Sequence, residues 1–385
     1  MRALGALVAD RARLALRGPS LFSGVLAAAI AWLLAAGLPG LDPSERARSG
    51  IAALSGLATV LGGLVVAAAG ASRRAHERST RRLAAERAGP LPATAIVLAE
   101  FAHVAAIAAA IALVAGCGAL HVGGRDASSR PRPAIAAEPR EGSVDGAETL
   151  VFRSPFPGES DVRFAFVPVV RRVPPDIPPR IARVTLRFAG SGRTVDLAVP
   201  NEALAFVPVA AGDAAPSGEL RVVASPSAPG LRVGLAAAKL EGPPGSVAWN
   251  AMAFALGLAA RLAVLGALGL LVGSLARPAL AAALVVSLLA YGLFGGAAAE
   301  FARELASRPH APGLLPWGAI AALASGLDAV VPDLSRLGLA AEWVRGETVP
   351  VGSLARVGLH AALLCGGLCA ICIALFRRQE VLSSA

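Results

Sequence analysis

Apolar residues in this chain gather in long blocks and do not follow the three-to-four-residue spacing of a helix with one wet face. Six blocks, at 21–38, 51–71, 93–120, 247–275, 279–299 and 357–376, each run 18 residues or more. At 1.5 Å per residue, each is of the length that crosses the ~30 Å hydrocarbon core of a bilayer. The pattern predicts a polytopic α-helical membrane protein with six transmembrane helices. Between the third and fourth blocks the rhythm changes to period two. DVRFAFVPVV, ARVTLRFAG, RTVDLAVP, ELRVVAS and LRVGLAAAKL alternate apolar and polar side chains, with Gly or Pro between the runs. Such alternation sets one strand face against a core and the other in water. An all-β, sandwich-like domain is therefore expected at 121–246, inserted between helices three and four and opening with a Pro-rich linker at 125–140.

The remaining segments complete the division. Residues 1–18 place Arg2, Asp10, Arg13 and Arg17 on one helical face, which suits an interfacial amphipathic helix. A cleaved signal peptide fits less well, because the 21–38 run exceeds the usual apolar region of such peptides. Residues 19–120 hold helices 1–3 with a loop at 72–92, and 247–299 hold helices 4 and 5 around a tight turn at 276–278. An outer loop follows at 300–356. Its apolar piece, 313–331, contains Pro316, Gly326 and Asp328, and a full span there would move Arg377 and Arg378 to the opposite side. It reads as re-entrant or interfacial. Helix 6 and a tail occupy 357–385.

Charge fixes the expected sidedness. The chain of 385 residues carries a net charge of +10, with mean hydropathy +0.64. Residues 2–17, 73–87, 277 and 377–385 together hold 13 Arg against 4 acids, whereas 121–247 hold 15 basic and 13 acidic residues. Basic residues near span ends resist translocation, so the first group is expected in the cytoplasm and the β domain outside. Both termini then lie inside, in a bacterial cytoplasmic (inner) membrane. A basic surplus explained in this way argues against a nucleic-acid partner. Aromatics are only 4%, so close approach of Ala- and Gly-rich spans must hold the bundle together. Cys117, Cys365, Cys369 and Cys372 all lie in apolar runs and read as small core residues.

Candidate chemistry is sparse. A P-loop needs Lys followed by Ser or Thr, and the only lysine is Lys239, followed by Leu240. The chain carries no nucleophile elbow, no H-E-x-x-H pair, and no catalytic, cofactor or metal site that spacing alone defends. Glu100 and His103 stand at i, i+3. Metal sites built on that spacing need it twice plus two further carboxylates, so the pair reads as two polar groups near the inner headgroups or facing another helix. Arg261 lies 16 residues before Arg277, and the expectation is that it snorkels to the outer headgroups, with a pathway role as the alternative.

RRLAAERAGPLPATAIVLAEF resembles the cytoplasmic loop of type-2 ATP-binding-cassette (ABC-2 type) transporter permeases, with Arg81, Leu83 and Pro90 at the matching positions. LGLLVGSLARPALAAALVVSLLAYGL resembles that family's span, short turn and span through Ser274, Arg277, Pro278 and Ala281. VPDLSRLGLAAEWVRGETVP and LFRRQEV resemble its closing stretches. The likeness covers most of the membrane part and none of the β domain. It implies a permease subunit that pairs with a second permease copy, the same or different, and with a separate ATP-binding-cassette ATPase. ATP and Mg would bind in that partner, with no cofactor in this chain. The basic loop would act as the coupling helix, through Arg73, Arg74, Arg78, Arg81, Arg82, Glu86, Arg87 and Pro90, and Ser274, Arg277 and Pro278 would form the hairpin turn. A helix so rich in Arg can independently dock an acidic cleft through charge-assisted hydrogen bonds.

The expected function is therefore an ATP-driven transporter subunit, an exporter, that is not itself an enzyme. The alternative is a membrane scaffold or sensor whose β domain binds an envelope ligand or protein.

Overall fold

The computed structural model describes residues 9, 11, 13–15, 17–38, 43–79, 92–125, 130–137, 147–153, 156, 161–172, 181–210, 212–214, 219–226, 231–276, 280, 283, 284, 286, 287 and 334–384. Of residues 73–79 the backbone path alone is described. The chain forms two compact units. One is helical and comprises Met1–Ser129, Val247–Arg345 and Val349–Ala385; the other is built on strands and comprises Arg130–Ser246 with Gly346–Thr348.

The helical unit contains α1 (Pro19–Ala36), α2 (Pro43–Ser79), α3 (Ala93–Gly124), α4 (Val247–Leu275), a short α5 (Ala340–Val344) and α6 (Val351–Ser384). Five of these, all but α5, are long and apolar enough to cross a membrane, which makes the chain a multi-pass membrane protein. The expected span at 279–299 lies almost wholly outside the described residues; 280, 283, 284, 286 and 287 within it are helical. The 313–331 piece lies outside them altogether. Several boundaries move outward from the sequence expectation. α2 continues through the membrane block to Ser79, α3 to Gly124, and α6 begins at Val351, because nothing in those flanks breaks the i to i−4 ladder.

α4 is the axle of this unit and packs against α2, α3 and α6. Its glycines explain how. A Cβ on Gly269 would collide with the Ala67 carbonyl of α2, and one on Gly273 would sit 2.6 Å from the Ala71 carbonyl oxygen. From the other side, a Cβ on Gly70 would sit 2.9 Å from the Gly266 carbonyl oxygen. The two backbones therefore touch over more than one turn. In lipid, where no hydrophobic gain separates helix from tail, such close contact is the main source of association. α1 joins through the same device, with Gly24 facing Ile111 and Gly118 of α3 lying against Trp32.

Residues 334–349, within the segment expected as an outer loop, pack into the helical unit. Leu334, Leu337, Leu339, Trp343 and Val349 are buried in the core of the helical unit. Trp343 lies against Gly123 of α3, and Leu339 against Gly257 of α4. The turn after α5 is pinned by Asn250 Oδ1, which accepts from Val349 N at 3.0 Å. Trp249 Nε1 donates to the Val349 carbonyl at 2.8 Å. The segment is too short and too mixed for its burial against α3 and α4 to be read from the sequence.

The strand unit contains β1 (Ala134–Ala136), β2 (Glu148–Arg153), β3 (Arg163–Arg172), β4 (Ile181–Phe188), β5 (Thr194–Pro200), β6 (Ala205–Pro208), β7 (Glu219–Pro226) and β8 (Leu231–Glu241). They make two antiparallel four-stranded sheets, ordered β1-β8-β3-β6 and β2-β7-β4-β5. All five runs singled out by alternation are strands. β1 falls inside the segment expected as linker, where it pairs with β8. The core between the sheets is aromatic, with Phe152, Phe164, Phe166 and Phe188 fully buried. Phe152 meets Phe164 edge-on at 5.6 Å. A bulge sets Ala237 and Ala238 of β8 against the single Phe166 of β3, and Ala237 has a φ of 49°. The edges are blunted: β1 and β6 are three and four residues long, and β5 carries Asp196 on its outer face and ends at Pro200. Lys239 bridges Glu241 at 3.0 Å and Glu347 at 3.3 Å, and Arg163 bonds Glu241 at 2.6 Å, which ties residues 346–348 to β8.

Asp213 locks the β4–β5 hairpin. It is fully buried and accepts from Ser191 Oγ at 2.5 Å, from Ala210 N at 2.8 Å and from Arg193 at 2.6 Å. Asp213→Ala should cost about 3 kcal/mol, because it strands a hydroxyl, an amide and a guanidinium together. Limited proteolysis should then cut within 189–193, where the wild type resists. Gly269→Val should push α2 from α4 and cost about 1–3 kcal/mol, read as a lowered thermal midpoint of the purified protein in detergent.

Candidate functional site

Among the described residues of the helical unit, one charged side chain is buried far from either end of its helix. Arg261 lies fourteen residues from either end of α4, about 21 Å along the axis in each direction. It is buried, only 9% exposed, and Nη1 donates to Thr59 Oγ1 of α2 at 3.0 Å. Thr59 is fully buried, and its hydroxyl donates in turn to the Ser55 carbonyl at 2.7 Å. The guanidinium thus turns inward to α2, which corrects the expectation that it snorkels to the headgroups. Its short path to a hydroxyl on the neighbouring helix is favoured over a long one to water, because leaving a charge unmatched in hydrocarbon is costly. Such a bond can hold two helices in one register and set a fixed positive charge in the interior, since Arg does not lose its proton in proteins.

Glu100 and His103 are also buried. His103 Nδ1 donates to the Arg11 carbonyl at 3.0 Å, so one member of the i, i+3 pair is occupied in fastening the N-terminal segment to α3. Among the described residues no three His, Cys, Asp or Glu side chains gather as metal ligands. At the other end of α3, Arg125 donates to His121 Nε2 at 2.8 Å and to the Ala36 carbonyl at 3.0 Å, capping α1.

The sequence-derived coupling residues divide. Arg73, Arg74 and Arg78 lie on the helical backbone that α2 extends to Ser79, and residues 80–91 of the expected loop lie outside the described residues. Arg81, Arg82, Glu86, Arg87 and Pro90 lie outside the described residues, as do Arg277 and Pro278 of the hairpin turn. Ser274 stands in the last turn of α4, where its hydroxyl donates back to the Leu270 carbonyl one turn earlier at 2.8 Å.

Sequence reasoning missed Thr59 and the 334–349 segment. A hydroxyl inside the run LSGLATVLGG was the only available signal for the first, and the spacing of Leu334, Leu337 and Trp343 for the second. The chain matches no known family, no curated protein and no solved structure.

Thr59→Val keeps the side-chain shape and removes the acceptor. It should cost about 1–3 kcal/mol, while Thr59→Ser should stay near wild type in thermal unfolding. Equal midpoints for all three would show that the bond does not hold α2 to α4.

Proposed function

We propose that this chain is the membrane subunit of an ATP-binding-cassette exporter, driven by a separate ATPase that docks on the basic segment 72–92. The observation that carries the reading is the continuity of α2. A single helix of 37 residues, about 55 Å long, runs from the apolar block into the Arg-rich segment without a break. A force applied at Arg73, Arg74 and Arg78 would travel along a rigid rod to the seam where α2 touches α4 and where Thr59 meets Arg261. A flexible linker at that place would dissipate it. The order of the motifs around Arg81, Pro90 and Ser274 supports the same reading, and so does the gathering of arginine in the segments expected in the cytoplasm. In this scheme the ATPase supplies ATP, Mg and hydrolysis, two permease copies form the path, and the β unit lies outside the cytoplasmic membrane.

Co-expression with its ATPase partner should give a complex that hydrolyses ATP, while the purified chain alone does not. Replacing Arg73, Arg74, Arg78, Arg81, Arg82 and Arg87 by Glu should abolish co-purification and leave the thermal midpoint of the chain within about 2 °C of wild type. Assembly that survives all six reversals would defeat the coupling role. Copurification with an envelope protein and no ATPase would favour the scaffold reading.

A further inference from the structure

Along the seam between α3 and α4 lies an open groove of about 380 Å³. None of its twelve lining residues is charged or a strong hydrogen-bonding group. The floor is made of small buried residues, Ala112, Gly116 and Ala251, and the rim of exposed Leu113, Leu120, Met252 and Leu256. The floor is narrow because the helices nearly touch beneath it: a Cβ on Gly116 would sit 2.8 Å from the Ala255 Cβ.

Extent and depth identify the occupant. The lining runs from Ala109 to Leu120 on α3 and from Ala248 to Ala259 on α4, about 16 Å along each axis. That is close to half of the ~30 Å hydrocarbon core. The groove begins in the first turn of α4, one turn short of the end of α3, and stops before Arg261 at mid-helix. It is thus as long as one leaflet is thick, and it opens sideways.

We propose that this groove seats one acyl chain of a phospholipid from the leaflet at which α3 ends and α4 begins. A wholly apolar lining complements hydrocarbon and offers nothing to a headgroup, which must remain at the interface beyond the helix ends. A helix of a second copy is a cylinder about 10 Å across and packs on flat surfaces of small residues. Here four long side chains stand above an Ala and Gly floor, which leaves a slot for an unbranched chain. Met252 on that rim is unbranched and can follow the chain's contour. The proposal rests on the placement of these helices in a bilayer and is independent of the ATPase.

The test uses the full chain in nanodiscs containing phosphatidylcholine with a diazirine in its acyl chain. Leu359 and Leu363 on the exposed face of α6 set the level for ordinary lipid contact. After illumination, peptide mapping should place adducts on 109–120 and 248–259 at least fivefold above that level. Ala109→Phe fills the mouth at an exposed position, and Ala255→Phe fills the floor. Each should reduce groove labelling to the α6 level and leave α6 labelling unchanged. Equal labelling of groove and α6 in the wild type, or groove labelling indifferent to both substitutions, overturns the proposal. Efficient Cys117-to-Cys117 crosslinking between chains by a bifunctional maleimide, with weak lipid labelling, also overturns it and assigns the groove to a second copy. None of these outcomes depends on whether an ATPase assembles.

Discussion

Backbone contact between α2 and α4 is the constraint on which the helical unit depends. Hydrocarbon tails solvate Leu as well as another helix does, so spans of Ala, Leu, Val and Gly gain little from burying side chains against each other. They gain from approach, because dispersion falls away within a fraction of an ångström. Gly70, Gly266, Gly269 and Gly273 allow the two helices to meet carbonyl against Cα. α3 and α6 also pack on α4, while the short segment at 334–349 brings Trp343 down onto Gly123 of α3.

The strand unit solves the opposite problem with different residues. Its core is surrounded by its own polar faces, so apolar side chains withdrawn from water supply the drive. Four phenylalanines and a set of Val and Leu fill the space between the sheets. The polar groups are equally committed. Asp213 meets three donors, and Glu241 takes both Arg163 and Lys239. The single lysine of the chain is thus spent on holding a strand to residues 346–348, and no nucleophile or nucleotide site claims it.

Among the described residues of the helical unit, buried polar side chains join elements distant in sequence. Thr59 and Arg261 join α2 to α4 across 202 positions, and His103 joins α3 to the N-terminal segment. Placing a cation at mid-depth narrows the arrangements that α2 and α4 can adopt, because sliding by one turn would separate guanidinium from hydroxyl in a medium without water to replace it.

The sequence by itself determined the two kinds of unit, the existence of strands β3, β4, β5, β7 and β8, and the cores of the five described spans. Each follows from a local period or from length against bilayer thickness. It also marked Ser274 at a helix end, and Arg73, Arg74 and Arg78 beyond an apolar block. Tertiary structure alone decided that Arg261 turns to Thr59 instead of the interface, that β1 and β6 pair at the sheet edges, and that Trp343 is core. The reason is common to all three. A three-residue strand, a lone hydroxyl and one tryptophan in a mixed loop carry no period, and their partners lie about 100 or more residues away or on another strand. Such contacts exist only after the long elements have come together, and no local pattern can encode where those elements will meet.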